Sequence, residues 1–144
     1  MAEKKKLNIL FLCTANACRS QIAEGWAKKL KSDCIEAFSA GVNPIGLSSR
    51  AVKVMAEADA DISKQYAKHI DEFSGIDFDY VITLCDNARQ SCPAFFGKGK
   101  VIHRGFPDPD AVTGSDETVM NAFRKTRDDI KKFILTLPDS LEKE

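Results

Sequence analysis

Leu7-Asn8-Ile9-Leu10-Phe11-Leu12-Cys13-Thr14-Ala15-Asn16-Ala17-Cys18-Arg19-Ser20 decides how this chain folds. Its first half, Leu7 to Leu12, is an apolar run of the length and composition of a buried strand. Its second half is a bend of small residues bracketed by a thiol, Cys13, and a guanidinium, Arg19. Ser20 through Leu30 follows with Ile22, Ala23, Trp26, Ala27 and Leu30 at helical spacing. A bend of this kind between a strand and a helix is an oxyanion trap with a nucleophile at its centre. The backbone N–H groups of Thr14, Ala15, Asn16, Ala17 and Cys18 can turn inward, the helix adds its positive end, and Arg19 supplies a planar fork for two oxygens. The same field favours the Cys13 thiolate, which is the nucleophilic form, and Ser20 can donate its hydroxyl to it. An isolated Cys and Arg at this spacing would otherwise read as a buried Cys ending a strand and an unrelated surface Arg. The flanking strand and amphipathic helix favour the trap.

The rest of the chain repeats the alternation. Ile35 to Ser39 reads as a second strand, Tyr80 to Leu84 as a third and Lys100 to His103 as a fourth. Asn43-Pro44 turns the chain. Ser48 or Ser49 can cap a helix running to about Ala58, and a short helix is expected around His69 to Phe73. Gly105-Phe106-Pro107-Asp108-Pro109-Asp110 reads as a loop because of its prolines. A last helix should run from Asp116 to Leu137 and stop before Pro138. Strands alternating with helices imply an α/β fold: a flavodoxin-like three-layer sandwich whose four-stranded parallel sheet, in the order 2-1-3-4, carries helices on both faces. Right-handed crossovers then gather the functional loops at the carboxyl ends of the strands. Cys13, Cys85 and Asp108 should share that rim, with Cys13 and Cys85 on adjacent loops.

The chain has 144 residues, enough for one domain with a real core, and one domain over 1–144 is expected. Lys plus Arg equals Asp plus Glu, so the zero net charge gives no reason to expect nucleic acid as a partner. Lys4 to Lys6 reads as a solvated end. No apolar stretch is long enough to span a membrane and no signal peptide is evident, so a cytoplasmic protein is expected. The five cysteines, Cys13, Cys18, Cys34, Cys85 and Cys92, are an odd number. In a cytosolic chain that argues for reactive thiols over a static disulfide framework. No C-x2-C pair exists and His69 and His103 are far apart, so no metal site is expected.

On the rim, Asp108 is held by Pro107 and Pro109 and is suited to be a general acid that protonates an oxygen leaving the bound oxyanion. Asp110 competes for that role, and an Asp in an ordinary Asp-Pro turn is the plainer reading. Cys85 and Cys92 flank Asp86-Asn87-Ala88-Arg89-Gln90-Ser91, a polar segment ending at Pro93. Beside a reactive thiolate, two such thiols point to a relay in which Cys85 attacks a Cys13 adduct and Cys92 attacks the resulting disulfide. Alone they would be incidental cysteines. Cys18 reads as structural, with oxidation sensitivity as the alternative, and Cys34 as a small apolar filler. His103 reads as a hydrogen-bonded rim residue and Trp26 as core. Phe95-Phe96 either anchors the segment or belongs to a docking surface.

Cys13 through Gln21 resembles the anion loop of low-molecular-weight protein tyrosine phosphatases and of the arsenate reductases that share their fold. Gln21-Ile22-Ala23-Glu24-Gly25-Trp26, Ser39-Ala40-Gly41, Val81 to Cys85, Cys92-Pro93 and Asp108-Pro109 extend the resemblance over nearly the whole chain. The resemblance implies the low-molecular-weight phosphatase fold and arsenate as substrate. It implies attack by Cys13, binding by Arg19 and the loop amides, thiolate stabilisation by Ser20 and proton donation by Asp108. Cys85 would displace arsenite, Cys92 would close a Cys85–Cys92 disulfide, and thioredoxin, an external reductant, would reopen it. No bound cofactor and a monomer are expected; other members use glutathione and glutaredoxin. In some relatives the positions of Asn16, Glu24 and Ser39 help form a potassium site. Where those carry a further carboxylate this chain has Lys68, whose ammonium can replace the cation. Ala15 stands where relatives often have Gly, and Arg104 where they often have Trp. Arg104 adds positive charge that could hold an anion or meet a reductant.

A phosphatase acting through a phosphocysteine is the competing enzyme. It needs neither Cys85 nor Cys92, and Asp110-Ala111-Val112 lacks the aromatic residues that sandwich a phosphotyrosine ring. A non-catalytic anion-binding or redox-sensing module is the remaining reading, and would need no positioned acid.

Overall fold

Leu7–Cys13 forms β1, and every residue from Ile9 to Cys13 is buried, as a strand covered on both faces requires. The computed structural model describes residues 6–84 and 100–143. β1 pairs in parallel with β2 (Ile35–Gly41), from Leu7 opposite Ile35 to Cys13 opposite Gly41. On its other side it pairs in parallel with β3 (Tyr80–Thr83), from Ile9 opposite Tyr80 to Leu12 opposite Thr83. β3 in turn pairs with β4 (Lys100–His103). The sheet therefore has the order β2-β1-β3-β4, as expected, and all carboxyl ends meet on one rim.

α1 (Arg19–Leu30) is buried all round from Ser20 to Ala27, because it lies between the sheet and α3 (Asp116–Leu135). Trp26 is in the core as expected, and its indole N–H donates to the Arg127 carbonyl at 3.1 Å. α2 (Ser49–Glu57) begins at Ser48, whose Oγ accepts the Ala51 N–H at 3.2 Å, and it also packs on α3. These three helices pack against one another. Successive strand residues face opposite ways; Ser39 meets Glu24 of α1, so Phe38 points to the other face. There it packs edge-on with Phe73 and Phe78, at ring separations of 5.4 and 5.3 Å. Phe73 belongs to a 3₁₀ turn, Ile70–Phe73, where a short helix was expected. Cys34 is half-buried against the same core. Among the described residues no helix is long and apolar enough to cross a membrane.

Of the boundaries that differ from the sequence reading, three have a local cause. β2 continues two residues past Ser39, because Ala40 and Gly41 pair with Leu12 and Cys13. α3 stops at Leu135, short of Leu137, because the Thr136 N–H and hydroxyl both turn to the Phe133 carbonyl, at 3.0 and 2.6 Å. The 105–110 segment is not wholly irregular: Pro109–Ala111 makes a 3₁₀ turn. Proline fits its first position, where no N–H is needed, and the Asp108 side chain caps it.

At the rim, β2 and the loop after β1 come into close contact. A Cβ on Gly41 would lie 2.6 Å from Thr14 O and 2.9 Å from Asn16 N. Both are backbone atoms, so the loop itself would have to move. Gly41→Ala should cost about 1–3 kcal/mol in urea unfolding, as overpacking does, and should weaken phosphate binding measured by calorimetry. Unchanged phosphate affinity would show that the loop tolerates the displacement.

Candidate active site

Small residues let the chain after Cys13 turn sharply, and Asn16 takes the turn's hardest conformation. Its φ is +50°, in the left-handed region that Asn tolerates better than most residues. The side chain is fully buried and bonded throughout. Asn16 Nδ2 donates to Ser20 Oγ at 2.7 Å. Asn16 Oδ1 accepts the Lys68 N–H at 2.9 Å. Gln21 Nε2 lies 2.9 Å from Asn16 O and 3.1 Å from Asn16 Oδ1. Nothing in the sequence reading marked Gln21 as a support of the loop. Because Ser20 Oγ accepts from Asn16, its own O–H is left to be donated elsewhere.

The loop carbonyls turn outward. Thr14 O accepts the Asn43 N–H at 2.8 Å, Ala15 O that of Ile45 at 3.2 Å and Ala17 O that of Ser48 at 2.9 Å, while Cys18 O accepts from Ile22 at 2.8 Å. In a trans peptide the following N–H points the opposite way. The amides of Ala15, Asn16, Cys18 and Arg19 are therefore directed away from those carbonyl partners. The last of them begin α1, at whose N-cap Cys18 makes no side-chain capping bond. This is the arrangement that binds an anion at a helix N-terminus.

Cys13 ends β1 and is 2% exposed. Cys18 is also buried, and burial first, then the Asp110 carboxylate, pushes its thiol far up against the opposing pull of Arg19. It stays a neutral thiol, which fits the structural reading. Arg19 is largely buried; Nη1 donates to Phe106 O at 3.0 Å and Nη2 lies 3.8 Å from Asp108 Oδ2. Asp108 is thus brought to the same site as the guanidinium, as expected. Its other oxygen, Oδ1, accepts the Asp110 N–H at 2.9 Å. Burial, and then the Asp108 charge, raise the Asp110 carboxyl above its usual range, with Arg50 and Arg19 opposing. Arg50 Nη1 lies 4.0 Å from Asp110 Oδ1, a contact that nothing in the sequence pattern indicated.

Behind the loop sits a buried ion pair. Lys68 Nζ donates to Tyr66 O at 2.6 Å and lies 3.8 Å from Glu24 Oε1. Glu24 also accepts from Ser39 Oγ and Lys28 Nζ. Burial lowers the Lys68 pKa and the Glu24 charge opposes it. With an ammonium already against Glu24, these residues do not fit a potassium ion. Among the described residues no group of three His, Cys, Asp or Glu side chains could hold a metal.

His103 is a hydrogen-bonded rim residue, its Nδ1 2.9 Å from Thr83 Oγ1. Arg104 lies 5.3 Å over the Phe133 ring, which also packs on Phe106. Its guanidinium is engaged with α3. Cys85, Cys92 and the Phe95-Phe96 pair lie outside the described residues. The residue before them, Leu84, is fixed on both sides: its N–H donates to Leu12 O at 2.9 Å and its carbonyl accepts from Phe106 at 3.0 Å.

Residues 8–144 match the family described as low molecular weight phosphotyrosine protein phosphatase. An arsenate reductase of Halalkalibacterium halodurans is 43% identical over 132 residues, covering 92% of this chain and 95% of its own. An arsenate reductase of Bacillus subtilis is 43% identical over 122 residues, covering 85% and 88%. A solved structure described as an arsenate reductase in the phosphate binding state shares 30% identity with a TM-score of 0.78, over 91% of this chain and 95% of that one. The anion loop, the sheet order and these likenesses agree: the chain belongs to the low molecular weight phosphotyrosine protein phosphatase family.

Proposed function

We propose that this protein reduces arsenate to arsenite, with Cys13 as nucleophile, in arsenic detoxification. The observation that carries the reading is the anion loop itself: Cys13 ends the central strand, and outward-bonded carbonyls leave the loop amides and Arg19 for a tetrahedral oxyanion. The likeness to arsenate reductases over most of the chain supports arsenate as that oxyanion.

The chemistry follows in balanced steps. The Cys13 thiolate attacks As(V), a sulfur–arsenic bond forms, and one oxygen leaves as water with a proton from Asp108. Arg19 and the amides hold the charge on the remaining oxygens. The Cys85 thiolate then attacks Cys13 Sγ; a disulfide forms, and the electron pair of the sulfur–arsenic bond reduces arsenic to As(III), which departs as arsenite. Cys92 attacks Cys85, Cys13 leaves as thiolate, and the Cys85–Cys92 disulfide carries the two oxidising equivalents to thioredoxin. No bound cofactor takes part. The protein works in the cytoplasm as a monomer. Ser20 stabilises the thiolate with the hydroxyl hydrogen that Asn16 leaves unused. Slow aryl phosphate hydrolysis by the same loop is a side reaction.

Arsenate-dependent NADPH consumption with thioredoxin and thioredoxin reductase should be robust for the wild type and largely lost in Cys92→Ser. No turnover with thioredoxin, beside fast aryl phosphate hydrolysis, would instead make the protein a phosphatase. Asp108→Asn should lower turnover by about 100-fold or more, the usual share of general acid catalysis. It should leave phosphate affinity, measured by calorimetry, close to that of the wild type. Unchanged turnover would remove Asp108 from the chemistry.

A further inference from the structure

We propose that Arg50 is a positioning residue for Asp108, acting through Asp110 from the far side of the anion loop. This rests on the reading of Asp108 as the acid. Contacts from several elements orient the segment that carries Asp108. Arg19 reaches Phe106 O and Asp108 Oδ2 from the anion loop. The Pro109–Ala111 turn rests on α3, with Pro109 buried. Arg50, in the first turn of α2, reaches Asp110 Oδ1 at 4.0 Å.

Arg50 is itself tied to the loop it serves. Ser48, which caps its helix, donates its N–H to Ala17 O at 2.9 Å. The path from the anion loop to α2, through Arg50 to Asp110, and from the Asp110 amide to Asp108 Oδ1 closes a ring around the mouth of the site. Asp108 Oδ1 is occupied by that amide, which leaves Oδ2, the oxygen beside Arg19, to serve as the acid.

The pair's energetics separate position from stability. Both side chains are 47% exposed, and an exposed pair adds little to folding. Asp110 and Asp108 repel each other, and burial already disfavours the Asp110 charge. Arg50 is the cation that offsets this repulsion from the α2 side. Without it the two carboxylates separate more readily, and Asp108 shifts relative to Arg19. A small displacement of a reacting group is costly in rate while the fold hardly changes.

The test is the first-turnover rate of arsenite formation by fully reduced protein as arsenate is varied. Arg50→Ala should lower the maximal rate roughly tenfold, a fraction of the whole acid contribution, with half-saturating arsenate and the unfolding midpoint unchanged. Arg50→Lys should restore most of the rate. Asp110→Asn removes the charge that Arg50 offsets, so in that background Arg50→Ala should cost nothing more. In an Asp108→Asn background, Arg50→Ala should cost nothing, because the group it positions is gone. An equal loss in both backgrounds, a rise in half-saturating arsenate, or an unchanged rate would overturn the inference. If Asp108→Asn alone leaves the rate intact, the acid assignment fails as well. If the wild type forms no arsenite, the proposed function itself fails.

Discussion

Asn16 holds a left-handed backbone in a fully buried setting, and the rest of the site is arranged to keep it there. A non-glycine residue in that region costs free energy that its surroundings must offset. Here the offset comes from α1 through Gln21 and Ser20, and from the segment after α2 through the Lys68 amide. Because each of these bonds ends on Asn16, the loop cannot relax at one anchor without loosening the others. The outward turn of the carbonyls, and hence the inward supply of amides, follows from that single fixed residue.

The sheet supplies the second constraint. A parallel order of β2-β1-β3-β4 puts β1 at the centre, so its carboxyl end is flanked on both sides. Gly41 closes against the loop from the β2 side. From the β3 side Leu84 joins Leu12 to Phe106, so the strand that leads to Cys85 and the segment that carries Asp108 are bonded to each other one residue from Cys13. Arg19 spans the two halves, since it starts α1 and bonds to Phe106. The site is therefore assembled by strand pairing first and by side chains second.

Much of this was legible in the chain because the informative residues act through local pattern. The apolar run to Leu12, the helical spacing after Arg19 and the cap at Ser48 were enough for most of the elements. The placing of Cys13 and Asp108 on one rim followed from topology. What was hidden acts at long range. Gln21 looks like any polar residue in a first helical turn, yet it reaches both Asn16 and Tyr66. Arg50 looks like a solvated helix residue until Asp110 is folded beside it. Arg104 reads as free charge, but the Phe133 ring lies beneath it. The added length of β2 came from its pairing with β1, which its own sequence does not encode. Cys85 and Cys92, read with the most chemistry, lie outside the described residues.

Two of the ion pairs around the anion loop differ sharply in exposure: Lys68 and Glu24 are 7% and 5% exposed, Arg50 and Asp110 both 47%. Dissolved ions reach them unequally. Screening acts over about 8 Å at physiological ionic strength, and it acts on charges that water surrounds. Added salt therefore weakens the outer pair and leaves the inner one almost untouched. The mouth of the site responds to the ionic strength of its surroundings, while the floor that shapes the anion loop does not.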